Sequence, residues 1–300
     1  MTSVPLRFQV GARTLWTIKR RLAQVSATLE EAIAGKSPPL PPLGLSEHGW
    51  LVRSAPEGRL DQLVEPDFFC FVRQRYSRYY TDLGGTYDGW LATLSGNARA
   101  ALRLKRKRLA QHAEKMEVRC FRRAEELRTF QALARPLAAL TYQERLLGSG
   151  LPDRPEFAAR AEALAAKDGV RAWLMTLGGR PIAYLWCSAE GTALRYDYVG
   201  HDPAYAKLSP GTVLHAAAFE ELFAERRFER FDFTEGDGQH KRQFATGGVA
   251  CADVLLLRDT IANRALVGGL RGFDGGVAVA KRAARHPRLA GVARRVRRAG

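Results

Sequence analysis

At Val170 the hydrophobic period changes from helical to strand-like, and the order of elements that follows restricts the fold more than any other feature. Val170–Leu177 reads as a strand, Gly178-Gly179 as a tight hairpin turn, and Arg180–Cys187 as the return strand. Glu190-Gly191 makes a second turn and Thr192–Val199 a third antiparallel strand. A loop with Pro203 and Pro210 leads into a helix from Gly211 to Glu225. Phe228–Phe233 is a short strand, Thr234–Gly238 a polar Gly-rich loop, His240–Ala245 a short helix, and Ala250–Leu257 a last strand. This order predicts an α+β fold with one mixed, mostly antiparallel sheet flanked by helices.

Upstream, Ser95 caps a predicted helix over 96–114, with Ala98, Ala101, Leu102 and Leu109 on one face and Arg99, Arg103, Arg106 and Lys107 on the others. Further helices are predicted over Ala124–Leu140, stopped or kinked at Pro136, and over Arg154–Lys167, ended by Gly169. Residues 13–34 place Leu15, Trp16, Ile18, Leu22, Val25, Leu29 and Ile33 at helical spacing, which predicts an amphipathic helix. Lys36–Gly44 reads as an extended Pro-rich spacer, with a PxxP partner ligand as the alternative. In the aromatic-rich stretch 46–92, Phe68, Phe69, Phe71, Tyr76, Tyr79 and Tyr80 read either as core or, beside Arg73, Arg75 and Arg78, as a base-stacking surface.

A formal net charge of +16 predicts attraction to polyanions: nucleic acid, anionic lipid or a phosphorylated cofactor. The excess is concentrated at Arg103–Arg108 and between Lys281 and Arg298; solvated helix faces account for it equally well. Val277–Arg298 alternates small apolar residues with arginines, which suits either peripheral contact with an anionic membrane or a solubilising tail. Four scattered cysteines without a CxxC pair argue against a zinc site and for a reducing, cytoplasmic setting. No segment has the apolar length to span a bilayer.

Ser209-Pro-Gly-Thr212 opens a helix, where free N–H groups and the positive dipole end attract phosphate. Asp232 alternates with inward-facing Phe231 and Phe233 and would face a cleft. Asp237 and Lys241, spaced i, i+4, form either a surface ion pair or an acid–lysine pair that orients a substrate amine.

Several runs resemble the FemAB-like GNAT acyltransferases, including proteins of the cellulose-biosynthesis-associated type: Thr86–Arg99 with Leu102–Leu109, Gly179–Ala183, Tyr196-Asp-Tyr198, Leu208–Leu214, and Phe231–Asp237 with Lys241. The resemblance spans Tyr76 to Arg258. It implies a GNAT fold, acyl-CoA as co-substrate with its pyrophosphate at Ser209, Pro210, Gly211 and Thr212, no metal, and direct attack of an amine on the thioester. On that basis Asp237 is the first candidate base and His240, near neutral pKa, the second. Lys241 would bind an acceptor anion or the oxyanion, and Tyr198 would protonate the leaving thiolate. Arg99, Arg103 and Asp232 are candidates for holding substrate. His240 stands where the family has Tyr, and Thr234 where Gly is common.

The expected organisation is an N-terminal helix, Pro-rich linker and degenerate GNAT half over 1–75, the acyltransferase over 76–260, and a basic tail over 261–300. The expected activity is N-acyl transfer to an amine, lipid-linked or belonging to the cell envelope, in a cytoplasmic protein peripheral to the inner membrane. The alternatives are a Fem-type transferase using aminoacyl-tRNA and a non-catalytic, nucleic-acid-binding module.

Overall fold

The computed structural model describes residues 3–10, 13–112, 115–140, 150–236 and 238–284. In chain order these form β1 (Ser3–Val10), β2 (Arg13–Ser26), α1 (Leu29–Ile33), β3 (Gly49–Pro56), β4 (Phe68–Asp82), α2 (Tyr87–Thr93), α3 (Gly96–Ala110) and β5 (Met116–Phe121). Next come α4 (Ala124–Ala139), α5 (Pro155–Ala165), β6 (Val170–Leu177), β7 (Arg180–Glu190), β8 (Ala193–His201), α6 (Pro210–Glu225), β9 (Arg230–Asp232), α7 (Gln239–Phe244), β10 (Gly247–Arg258) and α8 (Ile261–Ala284). Short 3-10 turns cover Glu57–Leu63 and Pro203–Leu208. The chain divides into two compact parts: Met1–Ala27, Gly35–Arg75 and Ala252–Gly300 make one, Thr28–Ala34 and Tyr76–Cys251 the other.

In the first unit the strand order is β1-β2-β3-β10-β4. The expected helix over 13–34 is replaced by β2 here and by the short α1, which belongs to the other unit. The apolar positions Trp16, Ile18 and Leu22 satisfy a period of two as well as a helical one. The partner strand decides between them: β1 pairs antiparallel, with Leu6 opposite Ile18 and Phe8 opposite Trp16. Leu22 then joins Val4, Leu6, Leu255 and Leu257 beneath Leu266, Val267 and Leu270 of α8. α1 begins only after its N-cap Thr28, whose hydroxyl accepts from the Glu31 amide while the Glu31 carboxylate accepts from the Thr28 amide.

The second unit has the order β4-β9-β8-β7-β6-β5. β6 is buried almost throughout because helices cover both faces of the sheet, which explains its continuous apolar sequence. Trp173 and Met175 pack toward Trp90 of α2 and Phe219 and Phe223 of α6. Ala172 and Leu174 pack toward Phe130 and Leu137 of α4 and Ala161 of α5. Ser95 caps α3 as expected, accepting from the Ala98 amide at 3.2 Å. Pro136 lies inside α4 rather than ending it; it and Ala132 are not buried, so the carbonyl deprived of its amide meets water.

Two local features shape the centre of this sheet. First, β8 pairs in parallel with β9 only over Ala193–Arg195, opposite Arg230–Asp232. Beyond Arg195 the two strands separate. Second, the β7–β8 register shifts, with Trp186 opposite Tyr198 but Cys187 opposite Tyr196, so Asp197 is a bulge residue. Strict alternation would put Tyr196 and Tyr198 on one face. The bulge sends them to opposite faces: Tyr196 joins the α6 side of the core and Tyr198 the α5 side.

Candidate functional site

A cavity of about 510 Å³ lies beside the part of β8 that follows its pairing with β9, between that strand, α6 and α7. Its walls include Tyr196, Val199 and His201 of β8, Gly211, Thr212 and His215 of α6, and His240 of α7. A second cavity of about 300 Å³ has Tyr196, Val199 and His240 in common with the first and adds Asp197, Tyr198, Thr234 and Lys241. The site is therefore two chambers meeting at three side chains.

The first chamber begins at the start of α6. Ser209 takes a left-handed conformation with φ 54°, and its carbonyl accepts from the Thr212 amide at 3.1 Å. Pro210 has no N–H to leave unsatisfied. A side chain at Gly211 would meet only the His201 Nδ1, at 3.9 Å, so the backbone here is open to the chamber. Lys105 of α3 reaches across, its Nζ 3.4 Å from the Thr212 hydroxyl. A helix N-terminus, an uncovered glycine backbone and a lysine together suit a phosphate group.

At the junction, the Tyr196 phenol lies 3.4 Å from His240 Nε2. Burial raises the Tyr196 pKa, so the phenol keeps its proton and can donate it. Burial, and then the charge of Lys241, lower the His240 pKa, so its imidazole is neutral. Tyr196 stacks on His215 at 5.3 Å. His215 is buried among Phe219, Phe231, Phe233 and Phe244, which pushes its pKa down to about 3. Its Nε2 has no hydrogen-bond partner among the described residues.

The second chamber holds Asp197. Burial pushes its carboxyl up to about 6, against the opposing pull of Arg195, whose Nε is 3.6 Å away. Ser188 donates its hydroxyl to the same carboxylate. Lys241 is buried, and its Nζ donates to the Glu235 carbonyl at 2.6 Å, tying down the loop after β9. Thr234 has φ 58°, a left-handed conformation that a β-branched residue adopts only under strain. This accounts for the glycine usual at that position in the family it resembles.

Several expected site residues lie elsewhere. Asp232 does not face a cleft: it is fully buried, bound by Arg78 at 2.5 and 3.1 Å and by the Thr234 amide at 2.8 Å. Arg99 donates to the carbonyls of Ala92 and Leu94, closing the end of α2. Arg103 is exposed on α3, and neither arginine lines a chamber. Tyr198 lies against Phe157 in the second chamber, away from the chamber that begins at α6. Asp237 lies outside the described residues. Among the described residues no group of three or more His, Cys, Asp or Glu is placed to hold a metal ion.

Residues 96–242 match the family model for the acetyltransferase (GNAT) domain. Over these residues the chain is similar to GNAT acetyltransferases. It is a transferase enzyme with the GNAT fold, and GNAT enzymes use acyl-CoA. Similar solved structures include L-PGS from Bacillus licheniformis, at 12% identity and TM-score 0.48, covering 75% of this chain and 72% of that one. Another is FemX, at 12% identity and TM-score 0.47, covering 70% and 72%. A third is a GCN5-related N-acetyltransferase from Kribbella flavida, at 14% identity and TM-score 0.38, covering 72% and 71%. No curated protein matches the chain.

Within this fold, the sequence alone does not single out Tyr196, Asp197, His215 and Lys105 as site residues. Tyr196 and Asp197 stand in a motif that the sequence does single out, but the bulge that separates their faces leaves no mark in it. Lys105 is one cation in a block of five, and only the packing of α3 beside α6 distinguishes it.

Proposed function

We propose that the chain is an N-acyltransferase of the FemAB-like group, with its catalytic part in residues 76–260. It moves an acyl group from a CoA thioester to a primary amine by direct attack. The observation that carries this reading is the pair of chambers, one beginning at the α6 N-terminus and the other holding a buried carboxylate, joined at Tyr196, Val199 and His240. The motifs Tyr196–Tyr198, Leu208–Leu214 and Phe231–Asp237 support the FemAB-like assignment.

In this reading the Gly211 backbone, the start of α6 and Lys105 hold the pyrophosphate. The thioester lies along the free edge of β8 and reaches the junction. The amine enters the second chamber as an ammonium, and Asp197 takes its proton. The amine nitrogen then bonds to the thioester carbon, the carbon–sulfur bond breaks, and Tyr196 donates its proton to the departing thiolate. The newly bonded nitrogen loses its second proton to neutral His240, 3.4 Å from the phenol, which passes it on to restore the Tyr196 hydroxyl. Lys241 fixes the loop that closes the second chamber, and Asp237 on that loop is the alternative base. The amines to test include lipid-linked and cell-envelope acceptors.

Thiol release from acyl-CoA with a panel of amines tests the proposal, using the wild-type chain and the variants Asp197→Asn and Asp237→Ala. A fall of about 10²- to 10⁴-fold in Asp197→Asn with thioester binding retained is the expected result. Wild-type turnover in that variant and loss in Asp237→Ala would move the base to the loop. Wild-type turnover in both would remove the site.

A further inference from the structure

We propose that the tip of the β1–β2 hairpin is a docking surface for an anionic lipid bilayer. The apolar face of this hairpin begins in the core of its unit, where Val4, Leu6 and Leu22 are buried, and continues outward past the last element that covers it. Phe8 still meets Phe273 of α8, ring to ring at 5.4 Å. Its cross-strand partner Trp16 is 70% exposed, Leu15 is 57% exposed and Val10 is 45% exposed. Leu15 is a bulge residue, lying between Thr14 opposite Gln9 and Trp16 opposite Phe8 and without a cross-strand partner of its own. The end of the hairpin thus gathers three exposed apolar side chains with no element of their unit packed over them.

Within the hairpin itself the charge has one sign, the nearest acid on the covering helix, Asp274, being paired with Arg73. Residues 1–29 contain Arg7, Arg13, Lys19, Arg20 and Arg21 and no aspartate or glutamate. Among the described residues Arg7, Lys19, Arg20 and Arg21 enter no ion pair, whereas many arginines elsewhere in the chain do. Unpaired cations set along a strand behind a projecting Trp–Leu–Val tip match the layering of a bilayer surface. The phosphates lie at the level of the cations, and the aromatic ring and aliphatic chains lie below them. A single-stranded nucleic acid would use the cations and stack on Trp16, but it offers nothing to Leu15 and Val10. No helix among the described residues is long and apolar enough to cross a membrane, so contact of this kind would be peripheral. The proposal is independent of the acyl-transfer reading.

The tryptophans make the test specific. Trp50, Trp90, Trp173 and Trp186 are at most 6% exposed, so of the five only Trp16 can change its surroundings when the hairpin meets lipid. The full chain is mixed with vesicles of phosphatidylcholine alone or equimolar with phosphatidylglycerol, some carrying brominated acyl chains. The expected result is pelleting with phosphatidylglycerol only, a blue-shifted emission, and quenching by the brominated chains. Leu15→Ser with Trp16→Ser should weaken pelleting about tenfold or more at an unchanged Tm. Arg7→Gln with Lys19→Gln should weaken it similarly, while quenching of the bound fraction persists. Three results would overturn the proposal: pelleting without quenching, which places the contact elsewhere on the chain; undiminished pelleting of the Leu15→Ser, Trp16→Ser variant; or tight binding of poly(U) while vesicles stay unbound.

Discussion

Replacing Asp197 with asparagine should make the protein less active and more stable, and the stability gain should depend on pH in a way the structure fixes. The Asp197 carboxyl is raised from 3.8 to about 6, chiefly because burial disfavours its charge. Its side chain is only 16% exposed, so solvent relieves little of that cost. A raised folded-state pKa means the native state holds the proton more tightly than the unfolded chain. The group's contribution is complete below the unfolded value and is lost as pH rises through about 6. The rise from 3.8 to about 6 corresponds to about 3 kcal/mol, the native state's cost at neutral pH of carrying this carboxylate. Asparagine keeps the shape and can still accept from Ser188, but gives up the attraction of Arg195, so about 3 kcal/mol is the ceiling of the gain. Roughly half of the gap should open between pH 5 and pH 7.5. Urea denaturation of both proteins across that range reads it directly. The acid limb of kcat/KM near pH 6 should vanish in the variant's residual activity. Parallel stability curves for the two proteins, or a wild type more stable than the variant at pH 8, would refute the reasoning.

Arg78→Ala leaves the Asp232 carboxylate buried without its partner and should cost about 3–5 kcal/mol in urea denaturation, with most of it recovered by adding Asp232→Leu. Lys105→Ala should raise KM for the thioester about fivefold with kcat unchanged, and high salt should narrow the difference, as steady-state kinetics at two ionic strengths will show. Tyr196→Phe should lower kcat about 10²-fold with KM retained, whereas Tyr198→Phe should leave kcat near wild type. Thr234→Gly relieves the left-handed conformation and should raise stability by about 1 kcal/mol, measurable as an increase in Tm.

Much of the second unit is legible in the sequence because its signals are local. Gly178-Gly179 and Glu190-Gly191 mark turns by their own conformational needs. Val170–Leu177 is apolar enough to be read as a strand. The start of α6 can be read from Ser209–Thr212 for a similar reason, since Pro and Gly carry their geometry with them. What stays hidden depends on partners distant in the chain. The apolar spacing of residues 13–34 fits a helix as well as a strand until β1 is paired with it. Asp232 looks like a cleft residue until Arg78, 154 positions away, occupies it. Strict alternation makes Tyr196 and Tyr198 equivalent, and one bulge residue separates them.

The central claim is that the chamber beginning at α6 holds a CoA thioester with its reactive carbon at the junction of Tyr196 and His240. A crystal structure of the protein with a non-hydrolysable acyl-CoA analogue tests this most directly. The account predicts pyrophosphate oxygens on the Gly211 amide and Lys105, and the acyl carbonyl beside Tyr196. An analogue held anywhere else, or a chamber closed around His215 with no room for the pantetheine arm, would contradict it.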